Sequence, residues 1–152
     1  MTLYEFLKYI HIVLAIIAIG FNISYGIWLA RAAQHAQHAP FILRTLKLLD
    51  DRFANPAYAL LLLTGFGMIF EADIPIFDTF WITTSLGLYV ALIVVGVLFY
   101  SPVLRRQTEI AESGMADSAE YRQLSKRNVA IGGLLVLLVL VIELLMVTKP
   151  ML

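Results

Sequence analysis

Four apolar stretches, each close to the length of a membrane crossing, constrain this chain more than any other feature. Tyr9–Ala30 and Phe53–Phe70 carry no formal charge, Ile74–Leu104 is broken only by Asp78, and Val129–Thr148 only by Glu143. A helix crossing the hydrocarbon needs about 20 mostly apolar residues. Composition points the same way. Only 14% of the residues are charged, against about 25% in an average soluble domain, and the mean hydropathy is +0.84. The expected fold is all-α, a transmembrane four-helix up-and-down bundle with spans near 6–30, 54–71, 80–104 and 129–148. Four spans leave no room for a separate soluble domain, so residues 1–152 read as one domain.

The formal net charge is zero, which argues against nucleic-acid binding, since that function needs a basic face. The absence of cysteine rules out disulfides, thiolate metal sites, covalent c-type haem attachment and cysteine-held iron–sulfur clusters. The segment from Met1 to Lys8 has no basic n-region, and no small-residue cleavage site follows the first apolar stretch. It reads as a retained first span and not as a removed signal peptide.

Lys and Arg are distributed unevenly. Arg31, Arg44, Lys47 and Arg52 lie between the first two apolar stretches, and Arg105, Arg106, Arg122, Lys126 and Arg127 between the last two. The connection near 71–80 has no basic residue and carries Glu71, Asp73 and Asp78. Short loops rich in Lys and Arg stay cytoplasmic, so both termini and the acidic connection are expected outside. Trp28 and Tyr100 fall near the inner interface and Tyr4 and Trp81 near the outer one, as aromatic belts do.

In the first basic connection, Ile42, Leu46, Leu49 and Phe53 recur at spacings of three and four. That pattern predicts a short amphipathic helix over Phe41–Phe53, lying on the inner interface or leading into the second span. Asn55-Pro56 is expected to start or kink that span. The second basic connection, Arg105–Asn128, should extend the third and fourth helices into the cytoplasm and turn near Ser113-Gly114. The apolar Ile74-Pro75-Ile76-Phe77 is either a cap over the outer end of the bundle or a tight connection dipping into the headgroups.

Ionisable groups within the membrane are expensive and are functional candidates by default. His11 and Glu143 are the two here, roughly 5 and 9 Å below the outer boundary at about 1.5 Å per residue. Ala15, Ala18, Asn22 and Tyr25 continue one helical stripe from His11. Gly132, Val136, Val139, Glu143, Met146 and Val147 form another on the fourth span. Stripes of small and polar residues pack together or line a cavity. A neutral His11 imidazole suits haem iron or a soft metal such as copper, with Met146 or Met68 as a second ligand. His11 and Glu143 could instead form a proton-handling pair, and the plainest role for either is an interhelical hydrogen bond. His35 and His38, spaced i,i+3 without a carboxylate, read as a solvated loop. Tyr58, Thr64, Met68, Ser85 and Tyr89 read as packing or interhelical hydrogen-bonding residues, and Gly65, Gly67, Gly87 and Gly96 as points of close helix contact.

An ensemble of short motifs resembles a bacterial family of predicted integral membrane proteins catalogued as a domain of unknown function. The motifs are Tyr4…Lys8-Tyr9-Ile10-His11, Leu60–Thr64-Gly65-Phe66-Gly67-Met68, Trp81-Ile82-Thr83, Pro102…Arg105-Arg106 and Leu145-Met146-Val147-Thr148-Lys149-Pro150. The resemblance covers nearly the whole chain and implies the bacterial inner membrane. More distantly, the chain is similar to membrane copper-resistance proteins and to haem-containing protoporphyrinogen oxidases. The latter share a lysine followed three residues on by a histidine, and a closing lysine–proline pair. That likeness implies haem binding at His11. The oxidase pattern also has a tryptophan where this chain has Ala15-Ile16-Ile17-Ala18, a lysine where it has Trp81–Ser85, and a later third-span histidine with no counterpart here. The likeness thus points to haem binding more than to oxidase activity.

Three functions follow as expectations. The first is a small inner-membrane protein that holds haem b or copper through His11, with Met146 as a further ligand and Asn22, Tyr25 and Glu143 as polar intramembrane companions. The second is a non-catalytic subunit or assembly partner of a larger membrane complex, or a homodimer. The third is a small proton-coupled transporter using Glu143.

Overall fold

The computed structural model describes residues 1–150. Its elements are α1 (Leu3–Gln34), α2 (Ala39–Leu49), α3 (Asn55–Glu71), α4 (Phe80–Val95), α5 (Ser101–Glu112) and α6 (Ala119–Thr148). Among the described residues there is no strand. A short 3₁₀ turn, Ala36–His38, links α1 to α2, and π-helical turns at Asp50–Ala54 and Gly96–Tyr100 join α2 to α3 and α4 to α5 without a break. Proline follows each π turn, as Pro56 and Pro102. A proline cannot donate to the preceding turn, and local π adjustments re-satisfy the backbone groups it frees in a membrane helix.

The result is four long helices: Leu3–Gln34, Ala36–Glu71, Phe80–Glu112 and Ala119–Thr148, each long and apolar enough to cross a membrane. They run past the sequence-derived spans at the end that carries the basic connections. The amphipathic stretch expected over Phe41–Phe53 is the beginning of the second long helix, leading into its apolar part and not lying apart. Ile42, Leu43 and Leu46 are buried, whereas Phe53 is 52% exposed.

Side-chain chemistry sets the helix ends. Thr2 and Glu5 form a capping box, with Thr2 Oγ1 accepting from the Glu5 N–H at 3.2 Å and Glu5 accepting from the Thr2 N–H at 2.8 Å. Ser118 caps α6 by accepting from the Tyr121 N–H, which satisfies one of the otherwise orphaned donors of the first turn. α3 and α5 end alike. Ile74 N–H reaches Ile69 C=O while Asp73 N–H reaches Phe70 C=O, and Met115 N–H reaches Ile110 C=O while Gly114 N–H reaches Ala111 C=O. The residue at each turn is left-handed, Asp73 at φ 49 and Gly114 at φ 79. This is the Schellman arrangement, and it places the second turn at the expected Ser113-Gly114.

Packing is unequal along the bundle. At the end with the basic connections, α2, α5 and the first half of α6 close around Leu29, Ala32, Leu43, Leu46, Leu104, Ile110 and Tyr121, all nearly inaccessible. At the end with the two termini, fewer residues are buried. This gradient follows from the solvent. Water drives apolar side chains together, whereas lipid tails are as apolar as leucine and leave helices to associate by close packing and hydrogen bonds.

Two expectations from small and aromatic residues need correcting. Gly65 and Gly67 are close-contact points, since a Cβ there would meet His11 Cε1 at 3.4 Å and Leu7 Cδ1 at 3.1 Å, but Gly87 and Gly96 have open space around them. Tyr100 is not an interface anchor. It is buried and its ring lies against Gly132, where a Cβ would meet Cε2 at 3.7 Å.

Candidate functional site

The α1 stripe beginning at His11 faces the bundle interior, with Ala15, Ala18 and Tyr25 buried and Asn22 partly so. The two small residues leave room beside the helix, and the absence of bulk at Gly65 on α3 lets the imidazole of His11 lie against the α3 backbone. His11 Nδ1 is 2.8 Å from Thr64 Oγ1. The Thr64 hydroxyl in turn points at the carbonyls of Leu60, at 2.8 Å, and Leu61, at 3.1 Å.

A threonine hydroxyl has one proton to give and two lone pairs to accept with. When the hydroxyl gives its proton to one of these carbonyls, Thr64 accepts from His11. In that arrangement the hydrogen of a neutral His11 is on Nδ1 and the lone pair on Nε2. Orientation of a ligand histidine through its other ring nitrogen is the usual arrangement of metal-binding imidazoles, and it serves equally to present a hydrogen-bond acceptor. Among the described residues no side chain bonds Nε2.

Beside His11 lies a cavity of about 330 Å³, within the range of small-molecule pockets. Lys8, Trp81 and Lys149 stand at its terminal side. His11, Ser85, Glu143, Met146 and Tyr89 also belong to its lining. Lys149 Nζ rests 5.3 Å from the Trp81 ring centre, a cation–π contact that ties the end of α6 to the start of α4. The rest of the wall is apolar, with Ile12, Ile16, Leu61, Leu62, Phe66 and Leu86 among its members. Ser85 is 1% exposed and its hydroxyl has no partner among the described residues.

The cavity thus gathers His11, Glu143, Met146 and Met68. It does not join His11 to Glu143, because the imidazole bonds Thr64 and, among the described residues, no ion pair or hydrogen bond reaches the carboxylate. Asn22 and Tyr25 lie outside it. Asn22 Nδ2 donates to the Tyr58 hydroxyl and to Ala18 C=O, and Tyr89 donates to Tyr58 C=O at 2.6 Å. This second polar layer ties α1, α3 and α4 together just below the cavity floor. Tyr25 packs near Phe21, with its own hydroxyl unpartnered. His35 and His38 are exposed, their rings 6.5 Å apart. Among the described residues no three His, Cys, Asp or Glu side chains converge as a metal site.

Sequence reasoning passed over one polar cluster, Gln107, Tyr121 and Asn128, all essentially inaccessible where α5 meets α6. Asn128 Nδ2 donates to Gln107 Oε1 at 2.6 Å. Its signal was present. Gln107 shares the spacing of Val103, Leu104, Ile110 and Ala111, and Asn128 that of Tyr121, Ser125 and Leu135.

Four apolar helices around a cavity lined by a few polar groups define a polytopic α-helical membrane protein with an open-sided, ligand-sized space. The chain belongs to the family of predicted integral membrane proteins designated DUF2269, whose pattern matches residues 5–150. No curated protein and no solved structure matches it.

Proposed function

We propose that this protein is an intramembrane ligand-binding protein that holds its ligand in the cavity through Nε2 of His11. The observation that carries the reading is the contact of His11 Nδ1 with Thr64, which leaves Nε2 without a partner among the described residues on a residue that lines the cavity. A polar ring nitrogen left without a partner is costly in lipid, so the arrangement favours an occupant.

A lone pair at Nε2 takes a metal or a proton donor. In the metal form, haem b or copper would be held by His11, with the thioether of Met146 or Met68, both in the same lining, as the second ligand. Bound haem would supply a one-electron couple in the apolar half of the bundle. The uneven basic residues support an orientation with the cavity in the outer half of the bilayer and the basic connections in the cytoplasm.

The test is to extract the protein together with its surrounding lipid. Absorption spectrum, metal content and mass spectrometry of the organic extract then identify what travels with it. A stoichiometric ligand is expected in the wild type, lost from His11→Ala at unchanged helix content. A Soret band that disappears in the variant would mark the haem form. Equal ligand content in wild type and variant would overturn the reading.

A further inference from the structure

Resting on that reading only for the cavity as the seat of a ligand, we infer that the occupant is an anionic phospholipid of the surrounding leaflet. Its phosphate lies at the mouth against Lys8 and Lys149, and one acyl chain enters the cavity.

The head follows from the charges at the mouth. Lys8, from α1, and Lys149, from the end of α6, both line the cavity and are both exposed, so a head group can reach them. Neither has a carboxylate partner among the described residues, where every ion pair belongs to the basic connections at the other end. Lys149 is also aimed. It closes α6 in the left-handed conformation, φ 45, which a residue with a Cβ adopts at a cost, and its ammonium lies 5.3 Å from the Trp81 ring centre on α4. Glu143, the remaining charged residue of the lining, is about 9 Å deeper along α6 at about 1.5 Å per residue. Glu5, Glu71, Asp73 and Asp78, at the same end of the bundle, form no part of the lining. The mouth is therefore net positive and favours a head of net negative charge over a zwitterion.

The chain follows from the wall. Ile12, Ile16 and Val147 line the cavity and are nevertheless 49%, 66% and 77% exposed. At that flank the space is continuous with the surroundings of the bundle, which for these helices means acyl chains. A volume of about 330 Å³, at the low end for small-molecule pockets, suits one chain. The open flank lets the second chain of the same lipid stay in the bilayer, so the lipid enters sideways without leaving its leaflet.

The experiment follows quenching of Trp81 by lipids with brominated chains, in nanodiscs otherwise made of phosphatidylcholine. The Trp28→Phe background leaves Trp81, which lines the cavity, as the single fluorophore, because the chain has two tryptophans. Brominated phosphatidylglycerol and brominated phosphatidylcholine share their chains and differ in net charge. Each curve is normalised to the same variant without bromine, and circular dichroism reports whether each variant is folded. Phosphatidylglycerol should reach half of its quenching at a several-fold lower mole fraction, since one lysine near a head group is worth about fivefold. Lys8→Gln combined with Lys149→Gln should bring the two curves together. Ala15→Leu, which fills part of the cavity and keeps both lysines, should do the same. Inorganic phosphate at equal concentration should displace nothing. Equal curves in the parent, or a preference that outlasts both lysines, would overturn the inference. A preference kept in folded Ala15→Leu would leave the lipid at the rim and overturn the place given to its chain, and displacement by inorganic phosphate would overturn the lipid as the source of the anion. A preference intact in folded His11→Ala would uphold the lipid and overturn His11 as its anchor. Equal curves together with a Soret band that depends on His11 would do the reverse.

Discussion

Asn128 on α6 and Gln107 on α5 share a 2.6 Å hydrogen bond with both side chains at 0% exposure. This pair lies in the end of the bundle that is packed like a soluble protein, remote from the His11 cavity. The bond holds two helix extensions in register, while Gln107 Nε2, Asn128 Oδ1 and the Tyr121 hydroxyl have no partner among the described residues. Near the termini His11 lines a cavity that is open on one flank.

Breaking the amide pair on one side should cost more than removing it. Asn128→Leu strands the Gln107 amide in the core, a penalty of about 1–3 kcal/mol. The double variant Gln107→Leu with Asn128→Leu removes both groups and should recover a large part of it. Thermal unfolding in one detergent, run as a double-mutant cycle, measures the difference. Additive losses would show that the two residues do not act on each other.

Thr64→Val keeps the shape of the residue and deletes the acceptor that holds His11 Nδ1. The stability effect should be small, about 0.6 kcal/mol and at most about 1.7, as for other interhelical hydrogen bonds in membranes. The spectroscopic effect should be large. With ¹⁵N-labelled histidine, the His11 ring of the wild type should show a protonated Nδ1 and a bare Nε2. The valine variant should show a mixture of tautomers, and Thr64→Ser should return the wild-type pattern. A wild-type ring with its proton on Nε2 would contradict the bonding derived for Thr64.

The two contact glycines of α3 should respond differently to size. At Gly65 a methyl group would sit in ordinary contact with His11 Cε1, at 3.4 Å, and at Gly67 it would press on Leu7 Cδ1 at 3.1 Å. Leu7 offers the end of a flexible side chain that can swing away, while the His11 ring is held by Thr64. Gly65→Ala and Gly67→Ala should therefore both fold, the second after a small shift of Leu7. Gly65→Leu should displace the imidazole, lower the unfolding temperature and remove ligand binding, and Gly67→Leu should spare more of that binding. Equal loss of ligand in the two leucine variants would count against a role for Gly65 specific to His11.

Much of the fold was legible because lipid imposes a simple code. The apolar stretches located the four helices, and the His11-Ala15-Ala18-Asn22-Tyr25 spacing marked the inward face of α1. Beyond the apolar stretches the sequence predicted helical extensions and an amphipathic segment with Ile42 and Leu46 on one face, but not what those faces pack against. Outside the apolar stretches the chain reads as charged connections, yet Leu43, Leu46, Leu104, Ile110 and Tyr121 bury themselves there against one another, a pairing between distant segments that no local spacing announces. Within the site, His11 and Glu143 drew attention because they ionise. Their separation, and the choice of Thr64 as the partner of His11, depend on which helices adjoin. Ser85 looked like any packing serine, since only the structure shows a hydroxyl with no partner.

The uneven basic residues make one more prediction, about which side of the membrane each connection occupies. The chain has no cysteine, so single cysteines report without background. Gln37 and Met115 are exposed in the two basic connections, and Phe77 is 89% exposed in the acidic one. With basic loops retained in the cytoplasm, Phe77→Cys should react with a membrane-impermeant maleimide in intact cells. Gln37→Cys and Met115→Cys should react only after the membrane is opened. A charge swap gives the argument its cause. Replacing Arg105, Arg106, Arg122, Lys126 and Arg127 by glutamine should weaken the bias and yield a mixed population, with Met115→Cys partly labelled from outside. The opposite labelling in the unmodified background would turn the bundle over and put the His11 cavity in the inner half of the bilayer. Its ligand would then have to be drawn from the inner leaflet.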